Sequence, residues 1–81
     1  MSIKIWKISI FFIGGFMFSQ KIKEIRKNNQ LTQTEFAIKI NSTQDMVSRY
    51  EKGDIDLSTS MIIKICKTFN VSADYLLGLS D

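Results

Sequence analysis

Gln44, Asp45, Ser48 and Arg49 place four hydrogen-bonding side chains within a six-residue stretch of a chain otherwise poor in reactive groups. At about 100° per residue of an α-helix, with Gln44 set at zero, these four fall within roughly 0–140° and Met46, Val47 and Tyr50 within roughly 200–300°. One face is therefore polar and the other oily. The polar tips suit the edges of nucleobases. A Gln amide can pair with N6 and N7 of adenine, an Arg guanidinium with O6 and N7 of guanine, and a carboxylate can accept from N4 of cytosine; a Ser hydroxyl commits to none of these. Asp45 also repels a phosphate backbone, and its place in a first helical turn suits it equally to the helix dipole. Met46 can touch a thymine methyl or pack partly into a core.

The elements that must position this face lie on either side of it. Leu31-Thr32-Gln33-Thr34-Glu35-Phe36-Ala37 opens a helix with Thr32 as N-cap and Glu35 three residues on, the capping-box spacing. Phe36, Ala37 and Ile40 share one face of it. Asn41 breaks the pattern, and Asn takes positive φ more readily than most residues other than Gly. A second helix starts at once, with Thr43 as cap and Gln44 to Glu51 as body. Two helices across so short a turn, the second offering polar reach, match the helix-turn-helix pattern. Gln33 stands at the N-terminus of the first of them, where free N–H groups favour an anion such as phosphate. Thr43 can donate to a phosphate, and Lys52 follows the second helix.

Leu31-Thr32-Gln33, Phe36-Ala37, Val47-Ser48-Arg49-Tyr50-Glu51-Lys52-Gly53 and Val71-Ser72-Ala73-Asp74-Tyr75-Leu76-Leu77-Gly78 resemble the Cro/repressor-type (XRE-type) helix-turn-helix family. The resemblance extends from about Ser19 to Gly78. It implies an all-α, compact five-helix repressor-type domain over residues 17–81 that binds double-stranded DNA as a small transcriptional regulator, with helix 43–52 in the major groove. The DNA-binding residues would be Gln33, Thr43, Gln44, Asp45, Ser48, Arg49 and Lys52. It also implies an ion pair between Arg26 and Glu51, joining the first helix to the third. Three departures stand out. Gln30 lies near a position where the family often has Gly, so Asn29 is expected to take the left-handed conformation. Ser42 replaces a branched apolar residue in the turn. Asp54-Ile55-Asp56-Leu57 replaces a loop that is often basic, which predicts weaker DNA affinity than relatives show.

Composition limits the alternatives. Eighty-one residues allow one domain, and a chain this short gains stability by pairing with a second copy. One cysteine and no histidine leave no internal disulfide or zinc cluster and favour a reducing, cytoplasmic setting. No glycine-rich phosphate loop and no nucleophile beside an evident base are present, so neither an enzyme nor a cofactor-binding protein is expected. Cys66 reads as a small buried hydrophobe. The net charge is +3, but without Lys4 and Lys7 nine basic residues face eight acidic ones. Charge alone would not point to nucleic acid.

Residues 1–16 form an apolar extension unlike the rest. Ile8 to Phe18 is apolar apart from one Ser and two Gly, which resembles a signal-peptide core without a cleavage site and is shorter than the span a membrane needs. Three readings follow: a non-native stretch upstream of a start at Met17, a native apolar arm, or a membrane tether through residues 8–18. Gly14-Gly15 favours the first, since it can be encoded by a purine-rich ribosome-binding sequence a few bases before Met17. The first helix is expected from Ser19 to Asn28 or Asn29, with Phe18, Ile22 and Ile25 inward. The fourth, from Thr59 to Phe69 after Ser58, has Ile62, Ile65, Cys66 and Phe69 inward. Ser72 caps a fifth that stops at Gly78. Tyr75, Leu76, Leu77 and Leu79 offer more apolar surface than one short helix needs, and Tyr75, Leu76 and Leu79 are assigned to a homodimer interface. The chain ends too soon after this helix for a sensing domain, so no small-molecule ligand is expected. A protein-interaction module that does not bind DNA is the remaining alternative.

Overall fold

The computed structural model describes residues 18–79, and within them the chain is all helix and turn. Helix α1 runs over residues 18–28, followed by α2 (Gln33–Lys39), α3 (Gln44–Lys52), α4 (Thr59–Phe69) and α5 (Ala73–Leu76). The apolar extension 1–16, and all of the 8–18 segment except Phe18, lie outside the described residues. No helix among those described is long and apolar enough to cross a membrane.

Each of α2 to α5 begins where a Ser or Thr side chain takes up an orphan backbone N–H. Thr32 Oγ1 accepts from Glu35 N at 3.1 Å while Glu35 Oε1 accepts from Thr32 N at 2.8 Å, completing the capping box. Thr43, Ser58 and Ser72 cap α3, α4 and α5 in the same sense. The helices end alike too. After each of the five, one residue turns left-handed: Gln30 (φ 59°), Asn41 (56°), Gly53 (76°), Asn70 (56°) and Gly78 (76°). The next N–H then reaches back to a carbonyl in the last turn, as Leu31 N does to Arg26 O and Ser42 N to Ala37 O. This is Schellman closure, and it satisfies carbonyls that would otherwise face nothing.

The first of these reversals falls at Gln30 and not at Asn29. Asn29 is held in the final turn of α1, where both its backbone N and its side-chain Nδ2 donate to Ile25 O, at 3.1 and 2.7 Å. The bend therefore falls one residue later.

The core is a single cluster. Ile22 and Ile25 from α1, Phe36, Ala37 and Ile40 from α2 and its end, Val47 and Tyr50 from α3, Ile65 from α4 and Leu76 from α5 are all buried. Phe36 stacks on Phe69 with ring centroids 4.8 Å apart. Ile62, Cys66 and Phe69 pack against the cluster and are only partly buried, leaving Ile65 as the enclosed residue of α4. Burial pushes the Cys66 thiol up, which disfavours the reactive thiolate.

Leu76 corrects the interface assignment made for it. Its side chain is fully enclosed within this one chain, at 0% exposure, so it has no surface to offer a second copy. The periodicity of α5 distinguishes an inward from an outward face, and Leu76 is the inward one.

Candidate nucleic-acid interface

The α2–α3 pair is fixed by its turn and by the oily side of α3. Asn41 N donates to Ile38 O and Ser42 N to Ala37 O, which reverses the chain in the space of two residues. Val47 and Tyr50 anchor α3 in the core, and Met46 is partly covered against it. What remains outward is the polar side: Thr43, Gln44, Asp45, Arg49 and Lys52 are exposed and Ser48 is half-buried.

Behind that face runs a relay of side chains. Arg26 grips Glu51 through two bonds, Nε to Oε2 at 2.6 Å and Nη2 to Oε1 at 3.1 Å, and sends Nη1 to Leu31 O at 3.1 Å. One guanidinium thus ties α1 to the end of α3 and to the link before α2. The hydrogen bond to Glu51 raises the guanidinium's hold on its proton, burial opposes this, and the carboxylate's charge reinforces it. Glu51 Oε1 also accepts from Gln33 Nε2 at 3.1 Å, and Gln33 Oε1 accepts from Gln44 Nε2 at 2.7 Å.

The direction of this relay is not arbitrary. A carboxylate only accepts, so Gln33 must present its NH₂ to Glu51 and its oxygen to Gln44. Gln44 must then donate one N–H inward. Its carbonyl oxygen and second N–H are left without a partner among the described residues on an exposed side chain, and they make up the acceptor–donor pair that the N6 and N7 edge of adenine requires.

The other members of the set sit around this centre. Arg49 Nε donates to Asp45 Oδ2 at 3.0 Å, one helical turn back, with both side chains largely in solvent. Thr43 Oγ1 accepts from Met46 N at 3.2 Å and keeps its own O–H proton for a further acceptor. Gln33 is half-buried, with one N–H of its amide left over after the relay. Lys52 closes α3 in the open. Among the described residues no group of acidic or sulfur side chains is placed to hold a metal ion.

Of the residues assigned to an interface, Tyr75 meets α1. Tyr75 is partly buried, and its hydroxyl donates to Glu24 at 2.6 Å while Lys21 Nζ sits 4.6 Å from the ring centroid. Lys21 also approaches Glu24 at 3.7 Å. This three-residue contact pins α5 to α1 and was not foreseen; Glu24 and Tyr75 are 51 positions apart, and neither carries a local signal of the other. Leu79 is partly buried beyond α5.

A paired α2 and α3 held by buried apolar anchors, with a polar outer face backed by a fixed hydrogen-bond relay, define a helix-turn-helix domain of the repressor type. The family described as "Helix-turn-helix" matches residues 22–76, well over half of the chain, and the protein belongs to it in its Cro/repressor-type (XRE-type) branch. The family is one of DNA-binding regulators. It is similar to the antitoxin PezA of Streptococcus pneumoniae, with 42% identity over 62 residues, covering 76% of this chain and 39% of that protein. It is also similar to the HTH-type transcriptional regulator ImmR of Bacillus subtilis, at 39% over 59 residues, 73% of this chain and 46% of that one. A further HTH-type transcriptional regulator of the same organism, YqaE, gives 38% over 61 residues, 75% and 53%. The chain spans about half the length of these relatives. No solved structure gives a significant match.

Proposed function

We propose that the protein binds double-stranded DNA in a sequence-specific way as a small cytoplasmic transcriptional regulator, with α3 lying in the major groove. The observation that carries this reading is the relay from Arg26 through Glu51 and Gln33 to Gln44. It fixes both the position of α3 and the orientation of the Gln44 amide before any DNA arrives, so little freedom remains to be lost on binding. Gln44 reads adenine, Ser48 and Arg49 reach neighbouring base edges, and Gln33, Thr43 and Lys52 hold phosphates. Two copies pair through Tyr75, Leu79 and the adjoining surface, so that their α3 helices meet half-sites about one helical turn apart.

Random-site selection with the purified protein tests this. The expected result is enrichment of palindromic sites with adenine at one position per half-site, a preference that Gln44→Ala abolishes. Recovery of single, non-palindromic sites removes the homodimer, and no enrichment at all removes base reading.

A second reading, an interaction module that does not bind DNA, draws support from the exposed Asp54 and Asp56 just beyond α3. The two separate in a titration: DNA reading requires an affinity that falls steeply as salt rises.

A further inference from the structure

Asp45 and Arg49 form a unit on the exposed face of α3 that neither residue explains alone. Arg49 donates from Nε, the N–H nearest its own backbone, to Asp45 Oδ2 at 3.0 Å. Among the described residues Nη1 and Nη2 have no partner, so the far edge of the guanidinium stays open. The side chains are 53% and 73% exposed, which puts the pair in solvent on the side of α3 that turns away from Val47 and Tyr50. An acid one turn before a base is also the orientation in which such a pair fits the helix dipole.

A free Arg on a helix surface samples many rotamers, and a flat, two-point approach to a base edge uses only a few of them. Tethering Nε biases the side chain toward those few without consuming the outer edge. We propose that Asp45 is a positioning residue for Arg49: it orients the guanidinium so that its open edge meets O6 and N7 of a guanine, and it contacts no base itself. This rests on α3 reading DNA. It replaces the expectation that Asp45 is a direct base contact, because Oδ2 already accepts from Arg49 and the carboxylate's charge disfavours a closer approach to the duplex. The same carboxylate repels the phosphate backbone, so Asp45 raises discrimination while lowering affinity for DNA in general.

The two effects move in opposite directions, and that is how they are measured. Sites selected by the wild-type protein are compared with those selected by Asp45→Ala, Asp45→Asn, Arg49→Ala and the Asp45→Ala/Arg49→Ala double variant, and each is titrated against an unrelated duplex. Arg49→Ala is expected to erase a guanine preference at one position per half-site. Asp45→Ala weakens that same preference by about twofold, the bias that an exposed ion pair one turn apart can supply, while affinity for the unrelated duplex rises. In the Arg49→Ala background, Asp45→Ala leaves base preference unchanged. Asp45→Asn, which keeps an accepting oxygen without the charge, retains more of the preference than Asp45→Ala and guards against a helix weakened by the loss of its first-turn group. An Asp45→Ala protein that keeps the full guanine preference, or changes preference at a different position from Arg49→Ala, overturns the proposal while leaving DNA reading intact. A wild-type protein that enriches no site overturns both.

Discussion

Arg26 and Glu51 leave only 14% and 6% of their side chains exposed, a degree of burial that charged residues reach only with partners. Taking both ions out of water costs several kcal/mol each, and the attraction between them offsets this only because the geometry is bidentate and the spare donors are used. Removing one partner is therefore worse than removing both. Glu51→Met should lower unfolding free energy by about 3 kcal/mol, since it strands the Arg26 guanidinium and takes the acceptor from Gln33. Arg26→Met should cost a similar amount. The double variant Arg26→Met/Glu51→Met should lose clearly less than the sum of the two, a non-additivity that urea denaturation resolves directly. Tyr75 makes the second residue-scale case. Its hydrogen bond to Glu24 first, then burial, then the carboxylate's charge hold the phenol above its ordinary value. Folding thus favours the protonated phenol; that share of stability is complete below the unfolded value near 10 and is lost as pH climbs through the higher folded one. Tyr50 is shifted the same way by burial alone. Stability should fall above about pH 10 in the wild-type protein, and Tyr75→Phe should shrink that fall without abolishing it, as chemical denaturation at stepped pH would record.

At the scale of the helices, starts were legible throughout and stops only in part. A helix start is written in one residue type, and Thr32, Thr43, Ser58 and Ser72 all perform the capping that their side chains suggest. A helix stop depends on which residue the closing turn forces left-handed. Asn41, Gly53 and Gly78 advertise that role; Gln30 does not, and it enters the region at φ 59° because the bonds of Asn29 to Ile25 delay the reversal. A residue with a Cβ holds this conformation at a cost of about 1–2 kcal/mol. Gln30→Gly should therefore stabilise the protein, by about 1 kcal/mol after allowing for glycine's greater freedom when unfolded, and raise Tm by about 4 °C or more. Asn70→Gly is the control. Asn tolerates the left-handed region, so the gain there should be smaller; thermal melts of the two variants side by side give the comparison.

For the molecule as a whole, the polar face of α3 followed from helical spacing, while its backing did not. The Arg26–Glu51 pair was implied by family resemblance, and the relay through Gln33 depends on an angle between helices that no spacing encodes. Leu76 shows the complementary limit: an apolar stripe marks an inward residue without saying whether its own chain or a second copy covers it. Charge is likewise a matter of placement. Among the described residues three basic side chains, Lys21, Arg26 and Arg49, already face acids, so attraction for a duplex rests on those that do not. Lys52, exposed at the end of α3, is one of these, and Asp54 and Asp56 stand just beyond it. If Lys52 holds a phosphate, Lys52→Ala should weaken binding equally on all sequences and reduce the slope of log K against log salt by about one. Asp54→Asn/Asp56→Asn should act in the opposite sense, raising affinity for any duplex about threefold at low salt and by less where ions screen the repulsion. Neither change should alter which base is preferred. Fluorescence titrations on a selected site and on an unrelated duplex, across a salt series, check both at once; an acid-loop variant that gains on the selected site alone would mean that the loop reads sequence instead of repelling backbone.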